Sequence, residues 1–232
     1  MNRIAGIARV LTVVVFSGWA AAWTALFSAA VPSASAQPCP DVQVVFARGT
    51  TEAPGVGGIG QSFVDSLRGQ VGSRSLDVYA VNYPASNDFA ASAISGISDA
   101  SGHLRSMAGN CPNTRMVLGG YSQGAAVAGF VTSAAVPPGI PASAVPPPMP
   151  PDVADHVAAV VLFGTPSAQF LGRYGAPPIV IGPLYQPKTL QLCAPGDTIC
   201  DGTPGGGPTA AHALYAVNGM TNQGAAFAAG KL

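Results

Sequence analysis

Apolar positions along this 232-residue chain follow two rhythms. Short apolar runs read as buried strands: "VQVVFARG" (42–49), "LDVYAVNYP" (76–84), "TRMVLGG" (114–120), "VAAVVLFGTP" (157–166) and "KTLQLCA" (188–194). Between them the apolar residues recur at helical spacing. Ile59, Phe63, Val64, Leu67 and Val71 fall on one face of a helix over 59–72. Residues 86–110 predict a long helix capped by Asn or Ser, with Gly109 near its end. Residues 122–135 predict a helix of small side chains, and 211–232 a closing helix broken at Gly219.

Strands alternating with helices predict an α/β fold, a three-layer α/β/α sandwich around a five-stranded parallel sheet. "VPPGIPASAVPPPMPP" (136–151) is too rich in proline for a helix or an inner strand. It is expected to be a surface loop inside one domain rather than a linker, because the strands on both sides belong to one sheet. "YGAPPIVIGPLYQP" (174–187) is apolar but irregular, and two readings stand for it: the wall of an acyl pocket, or packing on the surface. No internal repeat is evident.

Composition narrows the function classes. Charged residues make up 9% of the chain and the formal net charge is zero, which excludes the clustered Lys and Arg of a nucleic-acid surface. At 48% hydrophobic the chain is not disordered by charge repulsion. Arg3 and Arg9, the apolar run 10–31 and "ASA" (34–36) before Gln37 form the pattern of an export signal. The run is also long enough to span a membrane, but the small-residue site directly after it favours cleavage. The expectation is a signal peptide over 1–36 and one domain over 37–232, secreted and able to stay with the cell wall. Removing residues 1–36 takes away two arginines and no acid, leaving eight bases against ten acids.

Cys39, Cys111, Cys193 and Cys200 remain in the mature chain, an even count that suggests two disulfides in an exported protein. Of the three pairings, Cys193 with Cys200 is the simplest because they are near in sequence, leaving Cys39 with Cys111. No C-x-x-C pair is present, so a zinc site is not expected.

The candidate chemistry centres on "GGYSQG" (119–124). With 29 glycines in the chain, G-x-S-x-G alone is weak evidence. Its context is stronger, since Ser122 stands at the corner between a predicted strand and a predicted helix, as a nucleophile must. The Gln123 N–H at the helix start would face an oxyanion. The competing reading is a serine that merely caps the helix. Ser122 needs a base. His103 lies within a helix and His156 before a strand, whereas His212 follows the last strand, at the end of the sheet where chemistry gathers. The orienting acid is expected between them in sequence. Asp197, inside the loop closed by Cys193 and Cys200, is preferred over Asp201; Asp152 and Asp155 precede a strand.

"VVFARGTTE" (44–52), "GGYSQGA" (119–125), "CAPGDTIC" (193–200) and "TAAHALY" (209–215) together resemble the cutinase family of serine esterases, especially the secreted cutinase-like proteins of mycobacteria. The resemblance implies a five-stranded α/β-hydrolase sheet, a catalytic Ser122, Asp197 and His212, an oxyanion hole of Thr50 and Gln123, and the same cysteine pairing. It implies ester hydrolysis without metal or organic cofactor, by a monomer meeting ester or lipid substrates and in transient contact with a lipid surface or cell envelope. Acyl transfer to a sugar or lipid acceptor, phospholipase action and a non-catalytic wall-associated binding protein are the rival functions; the intact Ser, Asp and His argue against the last. The proline-rich stretch departs from fungal members of the family.

Overall fold

A computed structural model describes residues 38–232; the expected signal peptide lies outside the described residues. Five strands, β1 (Val42–Ala47), β2 (Leu76–Ala80), β3 (Arg115–Tyr121), β4 (Val157–Phe163) and β5 (Thr189–Leu192), pair in parallel in the order β2-β1-β3-β4-β5. Val45 sits opposite Leu118, and Leu118 opposite Val160. The central strands are buried along nearly their whole length, which is why they read as continuous apolar runs rather than as alternating ones.

Successive side chains still point to opposite faces. Val45, Leu118, Val160 and Leu162 pack under α2 (Phe89–Asn110), α3 (Gln123–Val131) and α4 (Pro151–His156). Val44, Phe46, Val161 and Phe163 pack under α1 (Gly57–Arg68) and α6 (Met220–Ala229). In that second layer Phe46, Phe63 and Phe163 form a ring cluster with centroids 5.6 to 6.4 Å apart.

Several element ends differ from the sequence expectation. The closing helix begins at Met220, because Gly219 takes φ 86°; residues 210–213 form only a 3-10 turn. The cap of α2 is Asp88, whose carboxylate accepts the Ala91 N–H at 3.3 Å, not Asn or Ser. Two short helices, α4 and α5 (Ala168–Gly172), are too brief to show a period. Pro151, the last proline of the rich stretch, opens α4, where its missing N–H leaves nothing unpaired. The strands on either side of that stretch, β3 and β4, are direct neighbours, so it interrupts one sheet.

The two disulfides join Cys39 to Cys111 and Cys193 to Cys200. The first closes a span of 72 residues containing β1, β2, α1 and α2. On the chain-entropy argument, replacing both Cys39 and Cys111 with Ser should lower unfolding free energy by about 4 kcal/mol, read by urea denaturation. A loss below about 1 kcal/mol would mean that the unfolded chain is not constrained there.

Candidate active site

The sharpest local feature is the turn at Ser122. It adopts φ 54° and ψ −118°, a backbone state that non-glycine residues avoid. The turn is possible because α3 comes unusually near the sheet. A Cβ on Gly120 would run into the backbone of Gly124, and one on Gly124 into the carbonyls of Ala47 and Arg48. Those two glycines therefore let the helix start against the ends of β1 and β3. The Ser122 N–H donates to Phe163 O at 2.9 Å, tying the corner to β4.

Ser122 does not cap α3 with its side chain. Its Oγ lies 2.8 Å from His212 Nε2, and His212 Nδ1 lies 2.8 Å from Asp197 Oδ2. With Asp197 a carboxylate, Nδ1–H is the donor to it, so Nε2 is left to accept the Ser122 proton. The three come from separate segments: Ser122 directly after β3, Asp197 in the loop after β5, and His212 farther along in the 3-10 turn Ala210–Ala213. Gly164, at the end of β4, keeps room for them. Its φ is +58°, and a Cβ there would lie 2.9 Å from His212 Cε1 and 3.1 Å from Asp197 Oδ2.

Asp197 is fully buried. Burial alone would raise the pKa of its carboxyl, but hydrogen bonds from His212 Nδ1–H, from Tyr215 O–H at 2.6 Å and from Ile199 N–H at 3.1 Å hold it below the ordinary carboxylate value. Tyr215 in turn accepts the Ala194 N–H at 3.0 Å. Its own pKa is driven up, first by burial and then by Asp197, so it stays a neutral donor. The Cys193–Cys200 bridge closes this loop around Asp197. Asp201, the rival acid, is exposed and accepts the Thr203 N–H at 2.8 Å.

The other sequence candidates part company. Gln123 gives the first N–H of α3, which has no acceptor within its own helix. Its side chain is clamped: Nε2 donates to Ser86 O at 3.0 Å and Oε1 accepts the Ser92 hydroxyl at 3.2 Å. Thr50 borders the same cavity as Ser122, Gln123 and His212. His103 instead stacks on Tyr79 and bonds Gln43 at 2.7 Å, and His156 ends α4; neither lines that cavity.

Sequence reasoning gave no role to Arg48, Glu52, Tyr83, Tyr121, Gly164 or Tyr215. Arg48 is buried beneath the Thr50 loop and donates to Glu52 O at 2.8 Å and Tyr83 O at 2.7 Å, with its guanidinium over the Tyr83 ring. Glu52 accepts the Gly49 N–H at 2.6 Å and the Gly58 N–H at 2.8 Å. Thr51, at φ 63°, donates its N–H to Ala85 O at 2.7 Å. The available signal was Arg48 and Glu52, two charges bracketing a turn at the end of a strand whose only polar residue is Gln43. Tyr121 donates its hydroxyl to His212 O at 2.7 Å and fixes the backbone at His212.

Segment 174–187 divides between its two readings. Tyr174 to Pro177 border the cavity at Ser122, and Tyr174 packs against Phe89 and Phe170. Val180 and Leu184 are exposed on the surface.

Comparison with known proteins places the chain in a family. The family model described as Cutinase matches residues 38–232. The probable carboxylesterase Culp7 of Mycobacterium tuberculosis is 70% identical over 168 residues, 70% of this chain and 88% of that protein. The phospholipase Culp4 of the same organism is 49% identical over 228 residues, 98% of this chain and 94% of its own. Among solved structures, a Trichoderma reesei cutinase in complex with a phosphonate inhibitor superposes with a TM-score of 0.63 at 34% identity, covering 82% of this chain and 76% of that one. On the match over residues 38–232 and these relatives, the chain belongs to the cutinase family.

Proposed function

We propose that this carboxylic ester hydrolase works by two-step acyl transfer through Ser122, His212 and Asp197. The observation that carries the reading is the unbroken line of two 2.8 Å hydrogen bonds from serine hydroxyl to imidazole to buried carboxylate. His212 Nε2 takes the Ser122 proton as Oγ attacks the ester carbonyl. Asp197, kept ionised by its three donors, stabilises the imidazolium that forms. The backbone N–H groups of Thr50 and Gln123 hold the oxyanion. His212 returns the proton to the departing alcohol, and water then releases the acyl group by the same steps in reverse roles. Export with cleavage after Ala36 belongs to the same reading; two disulfides suit an oxidising compartment. N-terminal sequencing of the protein from culture medium should begin at Gln37.

A phospholipid substrate is the second reading, favoured by the similarity to Culp4 across 98% of the chain. Release of fatty acid from phosphatidylcholine vesicles, compared with hydrolysis of p-nitrophenyl butyrate, decides between a lipid and a soluble ester. Added acceptor alcohol with product analysis separates transfer from hydrolysis.

Ser122→Ala should abolish the p-nitrophenol burst from p-nitrophenyl butyrate. Asp197→Asn should lower kcat by on the order of 10⁴, because the imidazole loses its orienting acceptor. Full activity in either variant would remove the triad.

The lowered pKa of Asp197 sets a pH dependence. A carboxylate depressed in the folded state adds stability that is present above its unfolded value, about 3.9, and is lost as pH falls through the folded value. Tyr215→Phe removes one donor and should cost about 2 kcal/mol at neutral pH. It should also make the loss of stability on acidification smaller, because the folded value of Asp197 then lies nearer the unfolded one. Urea unfolding of both proteins between pH 3 and pH 7 reads this, and parallel curves would show that the tyrosine does not tune the acid.

A further inference from the structure

We propose that Arg48 and Glu52 are positioning residues for the anion hole: they fasten the turn that carries Thr50 to the row of carbonyls at residues 83–86 that also holds Gln123, and so set the spacing of the two donors. The proposal rests on the reading of the Thr50 and Gln123 N–H groups as the oxyanion donors and adds to it the residues that place them.

The turn 49–52 is closed by the Glu52 N–H, which donates to Gly49 O at 3.3 Å. Its third residue, Thr51, has φ 63°, whereas Thr50 is not in the positive region. That is the pattern of a type II turn, whose third position favours glycine. A β-branched threonine is strained there and persists only where its surroundings hold it. The turn's N–H groups are all placed but one. Gly49 donates to Glu52 Oε2 at 2.6 Å, Thr51 to Ala85 O at 2.7 Å and Glu52 to Gly49 O. Among the described residues, the Thr50 N–H alone of the four has no acceptor.

Glu52 holds the turn through both carboxylate oxygens. Oε2 accepts from Gly49, and Oε1 accepts the Gly58 N–H in the first turn of α1 at 2.8 Å. Two donors converge on the group, so an amide of the same shape would set an N–H against one of them. Glycine leaves room for it, since a Cβ on Gly57 would fall onto the carboxylate. A Cβ on Gly49 would lie 2.7 Å from Tyr121 Cδ1. The turn is therefore held between Glu52 and the ring of the residue before the nucleophile.

Arg48 ties the same turn to its neighbour. Its Nε donates to Glu52 O, and one terminal nitrogen donates to Tyr83 O at 2.7 Å and Pro84 O at 3.2 Å. The Tyr83 hydroxyl returns a hydrogen bond to Arg48 O; burial drives its pKa up, so it stays a donor. Four consecutive carbonyls thus serve one purpose. Those of Tyr83 and Pro84 accept from Arg48, that of Ala85 from the Thr51 N–H, and that of Ser86 from Gln123 Nε2. Residues on either side of both oxyanion donors hang from one short stretch of backbone. The rival role for Glu52 is only to cap α1, whose N-cap Val56 offers no side-chain acceptor. A cap alone would alter melting and leave the chemistry as it is.

The test is kcat and KM for p-nitrophenyl butyrate, with inhibition by butylboronic acid. Boron bonds to Ser122 Oγ, the serine proton passes to His212, and the tetrahedral anion that results needs the hole as the transition state does. Glu52→Gln should lower kcat about ten- to a hundredfold, the worth of a hydrogen bond to a charged group. KM should stay within about threefold, and butylboronic acid should weaken by the same factor as kcat. A folded Glu52→Gln protein with wild-type kcat and boronate affinity would overturn the proposal and leave Glu52 a cap. So would a fall in kcat with boronate affinity unchanged. Tyr83→Phe, which removes only the bond to Arg48 O, should lower kcat and boronate affinity about fivefold. If thermal melting shows that Glu52→Gln does not fold, an unchanged Tyr83→Phe overturns the proposal instead. Thr50→Pro tests the reading beneath, because proline suits the second position of a type II turn and removes the N–H. Its kcat should fall about 10²- to 10³-fold. Wild-type kcat in Thr50→Pro would overturn Thr50 as a donor and this proposal with it, whereas absence of Ser122-dependent hydrolysis in the wild type would overturn the esterase reading itself.

Discussion

The site depends on how near α3 lies to the sheet. Gly120 and Gly124 have no side chains, so the backbone of the helix meets the backbone of β1 and β3 directly. That contact forces Ser122 into its left-handed turn and lifts its hydroxyl off the helix toward His212. It also sets the Gln123 N–H beside the turn that carries Thr50. A methyl group at either glycine would push the helix out, and the Ser122 turn and its contact with His212 would be lost together.

Against this rigid corner the remaining chemistry is held by few charges. The chain has ten acids and ten bases in all, and the buried ones are heavily engaged. Arg48 spends its guanidinium on backbone carbonyls around the Thr50 loop, while Glu52 accepts two backbone N–H groups there. Asp197 accepts from three donors. Each buried charge is thereby satisfied, which a low-dielectric interior requires. Aromatic rings carry the core up to the site: Phe163 packs edge-on against Tyr215, which reaches Asp197. Packing in the second core layer and orientation of the acid are therefore mechanically continuous.

The irregular segments gain meaning from the same frame. The proline-rich stretch and residues 174–177 have no regular hydrogen bonding of their own, yet both border the cavity at Ser122. A sheet edge with such loops gathered at the carboxyl ends of its strands is where an α/β fold places ligands.

Sequence by itself determined the alternation of strands and helices and the parallel sheet, because apolar runs and their spacing are local properties, and it singled out Ser122, Asp197, His212 and two cysteine pairs only as candidates. It left element ends uncertain: Gly219 ends one helix assignment only through its φ, and Asp88 outcompetes its neighbours as a cap by standing one residue before the first turn. Tertiary structure alone decided which atoms meet. The bonds of Tyr215 to Asp197 and of Tyr121 to His212, the space left at Gly164, and the joining of α3 with the proline-rich loop into one cavity unite residues up to 91 positions apart. Such contacts arise from layer packing and strand order, which no window of neighbouring residues contains.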